Sequence, residues 1–199
     1  MGLIMDARWT RLAIFATAFL LITGAAGCRT QTTAQPVAPS TSQPTTRRTS
    51  EPTSKSAAHI GERTKTTGCQ VNGGLQDSAC TPGAVFASAT KDQICQPGYS
   101  KDVRNVPESE KNEVYAEYGI KSHTTGEYEV DHLISLELGG SNDIANLWPE
   151  AAEPRPGYHE KDKVENYLHA QVCSGAMPLQ EAQQQIATDW LAVYNRMPK

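Results

Sequence analysis

The sequence predicts a small, disulfide-braced α+β domain, and three observations carry that expectation. Tyr128 to Leu138 alternates in a β-like way, breaks at Gly139-Gly140-Ser141-Asn142-Asp143, and is followed by Ile144-Ala145-Asn146-Leu147-Trp148, which can return as a second short strand. Segments on either side of this hairpin repeat apolar residues at helical spacing. Four cysteines, Cys69, Cys80, Cys95 and Cys173, fall within the same stretch, an even number that suits two disulfides.

The first part of the chain reads as accessory. Arg8 and Arg11 precede the uncharged run LAIFATAFLLITGAAG, which is short for a membrane span and turns polar at once, so residues 1–27 read as a cleaved export signal. The junction GAAGC resembles a bacterial lipobox, with Cys28 as the lipidated first residue of the mature chain and Ala25 where leucine is usual. Residues 28–66 are then a lipidated cysteine and a Thr/Ser/Pro tether with almost no large apolar side chain, unable to bury enough surface to offset ordering. The expected location is outside the cytoplasm, lipid-anchored to the bacterial cell membrane and facing the periplasm or the exterior.

The folded part is expected over residues 67–199. Residues 69–100 are rich in Gly, Pro, Asp and Ser and hold three of the four cysteines, including the pieces CTPGAVF and CQPGYS; they read as an irregular, disulfide-pinned segment. Four cysteines allow three pairings, and the favoured one joins Cys69 to Cys80 and Cys95 to Cys173. No C-x-x-C pair occurs, so the spacing argues against a zinc site. A helix is expected from about Pro107 to Tyr118, with acids early, Val114, Tyr115 and Tyr118 on one face and Gly119 as its stop. After the hairpin, a loop from Pro149 to Gly157 leads into a helix with Val164, Leu168, Gln171 and Val172 on one side, closed by Gly175. Leu179, Ala182, Ile186, Trp190, Val193 and Tyr194 then mark a final amphipathic helix.

Charge separates the parts. From Thr67 onward there are ten Lys or Arg against nineteen Asp or Glu, 10 − 19 = −9, whereas the tether is basic. A domain that binds nucleic acid without sequence preference normally presents a net positive face, and this composition does not advertise one.

The hairpin sets Asp131 beside His132 on the first strand, Asn146 in the return and His159 at the start of the following helix. That constellation, over EVDHLISLELGGSNDIANLWPE and HEKDKVENYLHAQVCSG, resembles the ββα-metal motif of HNH endonucleases. CTPGAVF, ICQPGYSKDVRNVPES and VYAEYGI are similar to a subgroup of secreted, bacterial HNH-type proteins. The resemblance implies a ββα-metal hairpin-plus-helix core with additional packing helices. It further implies His132 as general base, Asp131 and His159 as ligands of a divalent ion such as Mg, and Asn146 holding hairpin and base in register. Lys161-Asp162 offers a competing position for the third motif residue. Lys161, Lys163 and Arg155 are the candidate phosphate-binding cations.

The chemistry stands beside the resemblance. Hydrolysing a phosphodiester needs an activated water, stabilisation of developing charge and a proton for the leaving oxygen. An imidazole with an ordinary pKa of about 6.5 is largely neutral at pH 7 and can accept the water's proton. Neighbours on a regular strand point to opposite faces, so a site shared by Asp131 and His132 requires a bulge or loop at Asp131. Glu137 reads as a solvated strand residue, His123 and His169 as structural or exposed, and Trp148, Trp190 and Tyr167 as core. The expected function is a metal-dependent HNH-type endonuclease acting on DNA or RNA; the alternative is a non-catalytic envelope lipoprotein using the same fold as a binding or structural module.

Overall fold

The computed structural model describes residues 57–199; the expected export signal and Cys28 lie outside them. Strand β1 (Ala57–His59) pairs antiparallel with β2 (Ala84–Phe86), so ordered structure reaches back into the stretch expected as tether. Two tether cations are held by this domain: Arg63 pairs with Glu117, and Lys65 lies 2.8 Å from Asp77. The cysteine-rich segment also contains two short helices, α1 (Lys91–Ile94) and α2 (Tyr99–Val103), and α3 (Glu108–Glu117) follows. Thr90 and Gln93 form a capping box at α1, satisfying amides that a four-residue helix leaves open.

The second antiparallel pair is β3 (Tyr128–His132) with β4 (Leu147–Ala151), in register from Tyr128 opposite Ala151 to His132 opposite Leu147. Two expectations are corrected here. The first strand ends at His132 rather than Leu138, because Ile134 gives its backbone N–H and C=O to the Asn146 side chain instead of a ladder partner. The chain then makes a 3-10 turn over Leu136–Leu138, burying both leucines. Second, Pro149–Ala151 belongs to β4 and not to the loop that follows.

The glycine turn is needed for close approach. Gly139 takes φ 76° as it closes the 3-10 turn, and a Cβ on Gly140 would lie 1.7 Å from the Ile134 carbonyl oxygen, which no side chain permits. Strand β2 holds this turn from outside: Phe86 N–H donates to Gly139 O (2.9 Å), and Ser141 N–H donates to Ala84 O (3.0 Å).

Helices α4 (Tyr158–Ser174) and α5 (Leu179–Arg196) pack together over the hairpin. Val164, Leu168 and Val172 of α4 and Ala182, Ile186, Trp190 and Val193 of α5 close a core with Leu133, Ile134, Leu138 and Trp148, as their helical spacing requires. The α5 helix is broken at Asp189 (φ −163°, ψ 84°). The break is satisfied locally: Asp189 Oδ1 accepts from Ala192 N–H at 2.9 Å, as a cap would, and Gln76 Nε2 donates to Ala187 O at 3.0 Å.

Both disulfides match the favoured pairing. Cys69–Cys80 spans 11 residues with Cα atoms 6.0 Å apart, and Cys95–Cys173 spans 78 with Cα atoms 5.7 Å apart. They are consistent with an extracellular or periplasmic protein, and among the described residues no helix is long and apolar enough to cross a membrane. Loop-closure entropy scales with loop length, so the longer bridge restricts the unfolded chain more. Replacing Cys95 and Cys173 together by Ser is expected to cost about 4.5 kcal/mol in denaturant unfolding, against about 3 kcal/mol for the Cys69/Cys80 pair.

Candidate functional site

Directly paired residues of an antiparallel ladder share a face. Glu129, Asp131, Trp148 and Glu150 therefore lie on one side of the β3–β4 hairpin, and Tyr128, Val130, His132 and Leu147 on the other. The bulge expected at Asp131 is absent: the register runs unbroken through Asp131 and His132. The two titratable neighbours serve opposite faces.

On the first face the partner is Lys161 of α4, which has no exposed surface. Its ammonium donates to Asp131 Oδ2 (2.6 Å), to the His132 carbonyl (2.8 Å) and to Glu165 Oε1, with Glu150 Oε2 at 4.0 Å. Burial works against the Asp131 carboxylate, but the charge and hydrogen bond of Lys161 more than offset it and hold its pKa below the ordinary value. Glu165 is pushed up to about 7 by burial, with Lys161 opposing. Glu150 is 1% exposed, and burial raises its pKa well above normal, with the Asp131 charge and a hydrogen bond to Asp131 adding to the effect and Lys161 opposing it.

The second face holds His132, 2% exposed. Its Nε2 lies 3.2 Å from Asn142 Oδ1. The Asn142 amide is oriented by two further bonds: Nδ2 donates to Val103 O (2.8 Å), and Oδ1 accepts from Asn105 N–H (3.1 Å). An oxygen facing Nε2 requires Nε2 to carry the proton, which leaves the lone pair on Nδ1. That Nδ1 is buried and unpartnered. Burial pushes the His132 pKa down to about 4, with Arg104 and Lys161 adding to the effect and Asp131 and Asn142 opposing it, so the ring is neutral at pH 7.

Asn146 is fully buried and ties the loop between the strands. Its Nδ2 donates to Ile134 O (3.0 Å) and Ser141 O (2.9 Å), and its Oδ1 accepts from Ile134 N–H (2.9 Å) and Ala84 N–H (3.4 Å). This fixes the turn that carries Asn142 relative to the end of β3.

The other expected site residues are placed differently. His159 is exposed in the first turn of α4, its ring centroid 4.3 Å from that of Tyr158. Neither Asp131 nor His159 belongs to a group of three or more potential metal ligands; among the described residues, that group is Cys95, His169 and Cys173, which can hold a metal ion but whose sulfurs are joined in the disulfide. Asp131 is engaged by the Lys161 ammonium, so the pair Asp131 and His159, as placed, does not fit a shared divalent ion. Lys161 is sealed from solvent, Lys163 is exposed and lies 3.4 Å from Glu160, and exposed Arg155 pairs with Glu153.

A cleft of about 470 Å³ runs along the β3 edge beside α3, lined by Arg104, Lys111, Tyr115, His123, Tyr128 and Tyr158 among others. Its Arg104 is one of the two cations, with Lys161, whose charge bears on His132. Sequence reading missed Asn142, Arg104, Glu150 and Glu165. The Lys161/Glu165 spacing of four on a helix was a legible signal for a pair, and Glu150 stood out as an acid after an apolar return strand; Asn142 looked like any turn asparagine.

Asn146→Ala removes the side-chain partner of four backbone groups at once, Ile134 N–H, Ile134 C=O, Ser141 C=O and Ala84 N–H. Thermal or denaturant unfolding is expected to show a loss of about 3–5 kcal/mol, well above an ordinary surface change. Searches with this chain found no matching family model, no matching curated protein and no matching solved structure.

Proposed function

We propose that this protein is an HNH-type endonuclease, exported from the cytoplasm, that hydrolyses phosphodiester bonds of DNA or RNA with His132 as the general base. The observation that carries the reading is the state of that imidazole: neutral, with Nε2–H held on Asn142 and the Nδ1 lone pair unpartnered. A base in this state can accept a proton without first losing one. Nδ1 takes a proton from water, the resulting hydroxide attacks phosphorus, the phosphorus–oxygen bond to the leaving group breaks, and the leaving oxygen is protonated from solvent. Arg104 and Lys111, in the adjoining cleft, supply positive charge for a phosphate. No step is assigned to a divalent ion, because Asp131 is held by Lys161.

The binding-module reading draws support from the near-complete burial of His132 and the net charge of −9 from Thr67 onward, 10 − 19. Plasmid nicking separates the two. His132→Ala is expected to lower turnover by about two to four orders of magnitude, and a wild-type protein that cleaves neither DNA nor RNA leaves the binding module as the reading.

The pH profile adds a second check. The folded pKa of about 4 lies below the ordinary value, so the rate should stay level as pH falls through 6.5 and drop only towards 4, where the ring takes up its proton. Asn142→Ala frees Nε2 and allows the other tautomer. Nitrogen-15 NMR should then show loss of the single Nε2–H form, together with a fall in turnover.

A further inference from the structure

We infer that the Lys161 ammonium is the resident cation of the Asp131 face, seated where the HNH resemblance sets a divalent ion, and that Asp131 offers no divalent-ion site while Lys161 is present. The inference concerns the same hairpin as the nuclease reading but does not need its chemistry: it is a statement about which cation this cluster of oxygens holds.

The geometry is that of a built cation seat. Oxygens from three elements converge on one nitrogen: Asp131 Oδ2 at 2.6 Å and the His132 carbonyl at 2.8 Å from β3, Glu165 Oε1 from α4, and Glu150 Oε2 at 4.0 Å from β4. An ammonium has three protons, and these three hydrogen bonds use all of them. Carboxylates and a backbone carbonyl are the oxygen donors that hard divalent ions select. A divalent ion bound by the Asp131, Glu165 and His132 oxygens would lie at about 2.0–2.6 Å from each of those three, in the space that the nitrogen fills, so the two cations are mutually exclusive. The ammonium is anchored by its own helix and is sealed from solvent, so it is always at hand, whereas an ion must first displace it.

Glu150 borders the seat without adding to it: its Oε2 lies 4.0 Å from the ammonium, and burial together with a hydrogen bond to Asp131 raises its pKa well above normal, so it is held as the neutral acid. Removing the lysine side chain leaves the Asp131, Glu165 and His132 oxygens facing the space the ammonium filled. Lys161→Ala should therefore convert an ammonium site into a divalent one.

The test is calorimetric titration of Mg, Mn and Ca into the full chain in detergent micelles, with thermal melts in each ion. Wild type is expected to show no stoichiometric binding and no shift of its melt. Lys161→Ala is expected to bind one Mn or Ca at least about tenfold more tightly than wild type and to melt higher when the ion is present. Adding Asp131→Asn should abolish both gains. Stoichiometric binding to wild type that Asp131→Asn removes overturns the inference. So does a Lys161→Ala protein that gains neither affinity nor melting temperature from any ion, even if that variant folds poorly, because an ion filling the seat must stabilise it. Plasmid nicking in parallel reads the nuclease proposal separately: its failure leaves the titration result unchanged.

Discussion

The arrangement turns on a charge taken out of water. An ammonium with no exposed surface is tolerable only if every proton meets an acceptor and opposite charge lies close by. Lys161 meets that condition through Asp131, Glu165 and the His132 carbonyl, and in doing so it joins α4 to the last two residues of β3. Removing one partner would leave the others buried and uncompensated, which is why the ordering of the hairpin and the placement of the helix are one problem. The apolar residues of the same helix, Val164, Leu168 and Val172, secure its far end in the core; Lys161 fixes its near end by direction as well as by burial.

One five-residue strand thus carries two environments on opposite faces, coupled only through charge and the strand's own backbone. The face of Asp131 is ionic, occupied and closed. The face of His132 is neutral, with a ring oriented through Asn142 by backbone groups of Val103 and Asn105. Strand alternation achieves this separation without any irregularity in the ladder. The sequence argument assumed that neighbours in a motif must share a site; the paired register instead places them back to back, linked through the His132 carbonyl on Lys161 and through the His132 backbone at the Asp131 carboxylate.

What was legible in the sequence was whatever depends on local pattern. The helices around Val114, Leu168 and Ile186 follow from spacing, the presence of two disulfides from an even count of cysteines, and the Gly139-Gly140 break from the conformations glycine permits. What was not legible depends on partners distant in sequence. Leu133 to Leu138 has the composition of a strand, yet Asn146 captures the backbone of Ile134 and turns the run into a buried loop. Lys161 reads as a phosphate-binding cation or a third motif position until its ammonium is seen on Asp131, and Asn142 reads as a turn residue until Val103 and Asn105 close around it. The Asp189 break is invisible to an apolar repeat that continues through it.

The Cys95–Cys173 bridge has a consequence for how the molecule meets proteases. The 78-residue span it closes contains α2, α3, both strands of the site hairpin and nearly all of α4. Residues 121–127 form its most open stretch, solvent-exposed throughout and without a helix or extended strand. Exposed connections of this kind are where proteases cut first. A single cut there would turn a covalent ring into a linear chain whose two pieces remain attached, so Val103 and Asn105, which orient Asn142, would stay on the same molecule as His132, and the two pieces would separate only after reduction.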